Sequence, residues 1–341
     1  MIDYAETIVR NLIYYKIDSS DSHLPTNNEY DYKTDEEADI IKKIFLKPFS
    51  SSTTTFEFTH DIDIALNVLN NLVNSIQNNN GFRDDALNIY KHLKGVSKHP
   101  NIKNGDLFLI KYDDIKFNNK YYEAVGIYKV ENRENFIETL DNNSSGELIF
   151  KKGISGRKLD KACLVIFTED NYTVLIIDNS DTETEYWKNE FIRVKLRNDN
   201  INNTNQLLTV TKNYITKQLS NEFEVSKADK IDLLNRSIKY FKAKENFDLD
   251  EFSDEVIGNP KGISSFLNYK KGFEEEFETI IPDNFDISDI AVKKQARVYK
   301  SVLKLDKNFH IYIHGDKELI EKGFDEGKNM NYYKVYFKEE Q

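Results

Sequence analysis

The chain has 341 residues, 39% of them hydrophobic and 13% aromatic, enough to bury a substantial core in two domains or in one large domain with an appendage. Its formal net charge of -11 opposes any coating of nucleic acid through bulk positive charge, so a phosphate contact has to be local. One cysteine, Cys163, excludes an internal disulfide, a zinc ribbon and dithiol chemistry, and apolar runs such as Ala162 to Phe167 are far shorter than the ~20 residues of a membrane-spanning helix.

The opening, MIDYAETIVRNLIYYK, puts Asp3 and Glu6 where a secretory signal carries basic charge, and a cytoplasmic protein is expected. Residues 1–60 mix short apolar runs with turn-forming stretches, which predicts strands plus one short helix. Ile62, Leu66, Leu69, Val73 and Ile76 recur at helical spacing, with Thr59 or Asp61 as the cap and an end in Gln77 to Gly81. A second helix is expected over Asp84 to Lys94.

The centre reads as sheet: Asp106 to Tyr112, Tyr121 to Val130, Leu148 to Lys151, Cys163 to Thr168 and Thr173 to Asp178 are rich in β-formers and parted by Asn, Asp and Gly. In Phe191 to Arg197, apolar Ile192, Val194 and Leu196 alternate with Arg193, Lys195 and Arg197, which predicts a strand with one buried and one uniformly positive face. Asn198 to Asn205 is polar and turn-rich, and marks a boundary between an α/β domain over 1–200 and a helical domain over 201–341. Helices follow around Leu208 to Leu219, after the capping box Ser226 with Asp229, over Asp250 to Ile257 and over Ile263 to Phe273. Strands return at Val298 to Leu305, Phe309 to His314 and Tyr332 to Phe337. The expected fold is α+β: a central, mainly antiparallel sheet with helices, then a helical region and a C-terminal β-hairpin.

Charge is sorted into blocks. Between Lys271 and Lys293 there are seven acids, Glu274 to Glu276, Glu278, Asp283, Asp286 and Asp289, and no base; then Ala291 to Leu305 carries Lys293, Lys294, Arg297, Lys300 and Lys304 and no acid. A second basic group is the Gly-containing segment Lys151 to Lys161, with Arg157 and Lys158, and a third is Arg193, Lys195 and Arg197. Each alone is an ordinary solvated surface in a chain with 47 Lys and Arg; together they define a candidate groove whose glycines would admit phosphate to the backbone.

Catalytic patterns are weaker. His310 and His314 alternate with apolar residues as on a strand, which sets them roughly 13 Å apart, too far for one ion. Asp61-Ile62-Asp63 falls where acids suit a helix start. Asp178, Asp181, Glu183 and Glu185 lack the companion lysine strand of a metal-dependent nuclease, and neither a nucleophile elbow nor a phosphate loop is present. No metal or cofactor is expected.

Leu159 to Asp178, Glu185 to Asn200, Phe223 to Phe241 and above all Ala291 to Phe337, with AVKKQARVYKSVLKLDKNFHIYIHG followed by LIEKGFDE, resemble the bacterial nucleoid-associated NdpA-like family in its Bacteroidetes-type branch. The Lys152 to Lys158 segment is similar to one in enterobacterial-like members, although there helical residues follow it and here a strand does. The resemblance implies a non-enzymatic, cytoplasmic protein at the nucleoid. Its expected partner is DNA, bound largely without sequence specificity, with RNA, other nucleoid proteins and a homo-oligomer as further candidates. A docking module recruited to the nucleoid by a partner is the alternative, and a metal-dependent nuclease the third.

Overall fold

The computed structural model describes residues 2–18, 29–78, 81–142, 145–169, 171–179, 186–299, 302–305, 307, 309–312 and 319–339. The chain divides into two compact units, Met1–Arg197 and Asn198–Gln341.

The first unit is built on one antiparallel sheet. Its strands are β1 (Ile2–Asp3), β2 (Ile8–Ile17), β3 (Phe56–Phe58), β4 (Gly105–Phe117), β5 (Lys120–Val130), β8 (Lys161–Ile166), β9 (Thr173–Asp178) and β10 (Val194–Leu196), in the order β1-β4-β5-β8-β9-β3-β10 with β2 also paired to β4. Between β5 and β8 the chain forms a separate two-stranded ribbon, β6 (Glu134–Asn142) with β7 (Ser145–Gly153). Central β8 is buried along its whole length because both sheet faces are covered, which is why its sequence is a continuous apolar run.

Helices α2 (Val68–Gln77) and α3 (Phe82–Val96) lie on one face, where Leu69, Val73, Ile76, Ala86, Ile89 and Leu93 meet Leu107, Leu109, Val125, Ile127 and Cys163. The alternate residues serve the opposite face: Phe108 and Tyr128 stack on Phe45, the last residue of α1 (Asp35–Phe45). Burial pushes the Cys163 thiol well above its ordinary range, so it packs as an inert apolar group.

Two local expectations change. Helix α2 starts at Val68, capped by Asn67 rather than Thr59 or Asp61, and Ile62 is 83% exposed; Asp63 caps only a short 3-10 turn at Ile64–Leu66. The expected strand over Phe191 to Arg197 is reduced to β10, because Trp187–Ile192 forms a π-helical turn closed by Arg193 at φ 55.

The second unit packs helices around one apolar core. Helix α4 (Asn200–Asn213) runs through a π turn at Tyr214–Gln218 into α5 (Leu219–Glu222); α6 (Lys227–Ala243) carries the Ser226/Asp229 capping box; α7 (Leu249–Phe252) runs into a π turn at Ser253–Ile257. Helix α8 (Pro260–Glu276) follows Gly258 in the left-handed region and the N-cap Asn259, and α9 (Asp289–Ala296) completes the set. Asn198 to Asn205 is not a turn-rich linker: Asp199 caps α4, and Asn202, Asn203 and Thr204 are buried in its first turns.

Leu207, Tyr214, Phe241, Phe247, Phe252 and Phe266 form the centre of this core. A short ladder of β11 (Asn246–Asp248) with β12 (Asn284–Asp286) ties its edge. The hairpins β13 (Val302–Leu305) with β14 (Phe309–Tyr312) and β15 (Ile320–Asp325) with β16 (Met330–Val335) lean on α6, with Leu305, Ile311, Ile320 and Tyr333 around Ile231. The whole is α+β, with a main antiparallel sheet, helices and a C-terminal hairpin. Among the described residues no helix is long and apolar enough to cross a membrane.

Candidate nucleic-acid interface

The basic stretch begins on a helix, not a strand. Ser288 caps α9 by accepting from the Ala291 amide at 3.5 Å, Asp289 stands in the first turn, and Lys293 and Lys294 stand in the last, where cations suit the helix dipole. Ala291 and Val292 are buried, which turns Lys293, Lys294 and the C-cap residue Arg297 toward solvent. Tyr299 then anchors the chain: it is buried, its hydroxyl donates to the Leu208 carbonyl at 2.5 Å, and burial raises its pKa well above the usual phenol range. Lys293, Lys294 and Arg297 are thus exposed cations on one turn with a fixed support on each side.

Among the described residues of the expected strand over Val298 to Leu305, only Val302–Leu305 is strand, and Val298 and Tyr299 precede it in the turn after α9. Lys300 lies outside the described residues, and Lys304 pairs in register with His310. His310 is exposed on its strand; His314, Asp181, Glu183 and Glu185 lie outside the described residues.

The other two basic groups are less free than the sequence suggested. Lys195 pairs with Glu57 at 3.2 Å, and the Arg197 guanidinium donates to the hydroxyls of Thr173 and Thr168. Arg193 is half-buried, and Leu196 is exposed rather than buried, so no uniformly positive strand face exists. In the Gly-containing segment Arg157 and Lys158 are exposed, but Lys161 is fully buried, donating to Asp178 at 2.7 Å with its ammonium 5.0 Å from the Tyr186 ring. That pair accounts for Asp178, which the sequence had offered as a metal ligand.

The glycines of this segment are taken up internally as well. A Cβ on Gly156 would stand 2.8 Å from the Lys43 carbonyl oxygen, and one on Gly153 would stand 2.7 Å from the Phe136 ring. Close packing, not phosphate access, requires them.

The acidic block is also partly consumed. Buried Lys270 donates to Glu274 at 3.0 Å, to the Ile281 carbonyl at 2.9 Å and to Asp283 at 3.2 Å, and Asp286 accepts from Asn200 at 3.3 Å. Glu275, Glu276 and Glu278 remain exposed.

Sequence reasoning missed a further group. Ala86 to Gly105 holds Lys91, Lys94, Lys98 and Lys103 with His92 and His99 and no acid, the same signal that singled out Ala291 to Leu305. These four lysines and His99 line a cleft in the first unit. Among the described residues no three His, Cys, Asp or Glu side chains gather as a metal site.

The fold and these surfaces define an α+β protein, acidic overall, on which exposed cations cluster in short local stretches such as the end of α9. A family model described as nucleoid-associated protein YejK matches residues 15–331, and the chain belongs to that family of nucleoid-associated proteins. A search for similar curated proteins finds no match.

Proposed function

We propose that the protein binds DNA by phosphate contacts, largely without sequence specificity, and that Lys293, Lys294 and Arg297 at the end of α9 carry most of the contact. The supporting observation is that these three cations are exposed together on a turn anchored by Ala291, Val292 and Tyr299. Lysine and arginine on a convex helix end contact the backbone and carry no base readout. Lys300 and Lys304 extend the same stretch, while Arg157 and Lys158 are a secondary surface and Arg193, Lys195 and Arg197 a minor one. The reading is of a binding protein rather than an enzyme, in keeping with its family.

The test is the affinity for a fluorescent DNA duplex as a function of salt. Each phosphate contact contributes about -0.9 to the slope of log K against log salt. The variant Lys293→Glu/Lys294→Glu/Arg297→Glu is expected to bind more weakly and with a slope shallower by about 2 to 3. Two unrelated duplexes should give equal affinities, and single-stranded RNA is the control for preference. Absence of binding at low salt would leave the docking-module reading. The ribbon β6–β7 favours that second reading, since Phe150 is 76% and Ile137 55% exposed on it.

A further inference from the structure

The cleft at the C-terminal end of α3 has a volume of about 710 Å³, within the usual range of small-molecule sites. Lys91, Lys94, Lys98, His99 and Lys103 line it, and Asp18 is the one acid among the lining residues. The helix dipole explains Lys94, which stands in the last turn of α3. It does not explain Lys98 and Lys103, which follow the helix, or Lys91 one turn before its last. Among the described residues no ion pair holds Lys91, Lys98 or Lys103. Like charges converging on a concave wall repel one another, and a polyanion bound between them would remove that cost.

The wall is also fixed from behind. The fully buried Lys129 donates to the Lys103 carbonyl at 2.6 Å and to the buried Glu131 at 2.6 Å. A buried ion pair is an expensive way to hold a loop, and this one sets the backbone position of Lys103. Ile17, Tyr90 and Ile102 add apolar surface to the cleft. An adjoining recess of about 560 Å³ shares Lys98, His99 and Ile102 and is lined in addition by Tyr186 and Glu190. A multiply charged group, an apolar ring and hydroxyls therefore each find a matching surface. Bare phosphate would leave the apolar part unused.

We propose that this cleft binds a nucleoside polyphosphate, its phosphates on Lys91, Lys98 and Lys103. The site is in the first unit and does not depend on the DNA-binding reading of α9. The experiment is a fluorescence titration of the full chain with N-methylanthraniloyl-ATP, without added metal, competed by ATP, adenosine, tripolyphosphate and duplex DNA. Saturable binding that ATP displaces and adenosine does not is expected. Lys98→Glu/Lys103→Glu should weaken it by about tenfold or more, with Lys98→Gln/Lys103→Gln intermediate. The α9 triple variant should leave it unchanged. Absence of saturable binding, retention in Lys98→Glu/Lys103→Glu with native circular dichroism, displacement by tripolyphosphate as effectively as by ATP, or loss in the α9 variant would each overturn the assignment. Duplex DNA that displaces the nucleotide would do the same, by making the cleft part of a DNA surface.

Discussion

The buried side-chain amide of Asn67 donates to the backbone carbonyl of Arg193 at 3.0 Å, while its oxygen accepts from the Asn70 amide at 2.9 Å and caps α2. The same nitrogen also meets the carbonyls of Thr59 at 2.9 Å and Ile192 at 3.1 Å. One side chain thus starts a helix and closes the π turn that ends in left-handed Arg193. Asn67→Ala is expected to lose about 2–3 kcal/mol in denaturant unfolding, a cap plus an unsatisfied buried carbonyl. Asn67→Asp keeps the cap but not the donor, and should cost at least as much at neutral pH.

Lys270 holds Glu274, Ile281 and Asp283 from the buried side of the second unit. Lys270→Met should destabilise by about 3 kcal/mol, since Glu274 and the Ile281 carbonyl lose their charged partner. Chemical unfolding followed by circular dichroism checks this.

With Glu274, Asp283 and Asp286 engaged internally, Glu275, Glu276 and Glu278 are the exposed acids of the block that would compete with DNA phosphates for the basic turn after α9. Glu275→Gln/Glu276→Gln/Glu278→Gln is expected to tighten duplex binding roughly threefold at low salt and to have no effect above about 0.5 M, where exposed charges are screened. Equal affinity at low salt would remove the competition.

Lys195 and Arg197 already have partners in their own unit. Lys195→Gln/Arg197→Gln should change DNA affinity by less than about twofold, against the larger loss at α9, while unfolding shows a cost of about 1 kcal/mol from the lost Arg197 hydrogen bonds.

Burial raises the Tyr15 phenol to about 12 from its ordinary 10.0, and burial with the Asp106 hydrogen bond does the same for Tyr14. The unfolded chain ionises these groups first as pH rises. Their stabilisation is therefore complete below pH 10 and is lost as pH climbs from 10 toward 12. Tyr15→Phe removes one such group, so its stability should fall less steeply over that window in denaturant titrations.

Local signals were the legible ones. The Ser226/Asp229 box lies within one turn, and strands β4, β5, β8 and β9 are marked by their own β-rich runs; both were readable from the sequence. The alternation in Phe191 to Arg197 misled because Asn67, more than a hundred residues earlier, fixes the turn there. Strand β6 escaped notice because it is charged, exposed and paired only with its neighbour in the ribbon. At α9 the charge pattern was visible, but its helical form depended on weighing the Ser288 cap against the β-rich residues that follow. Lys161 and Gly156 looked like surface residues since nothing nearby in sequence announces Asp178 or Lys43 as their neighbours.

The π turn at Tyr214–Gln218 acts as a phase correction between α4 and α5. In an α-helix, residues five apart point about 140° away from each other, so Tyr214 and Leu219 could not both face the core. The wider turn absorbs one surplus residue and brings both inside, where they are buried. Deleting one residue there would restore an ideal helix with both flanks still in phase, whereas straightening the turn with the residue kept would rotate everything after it by about 100°, so the irregular turn keeps the two halves in register.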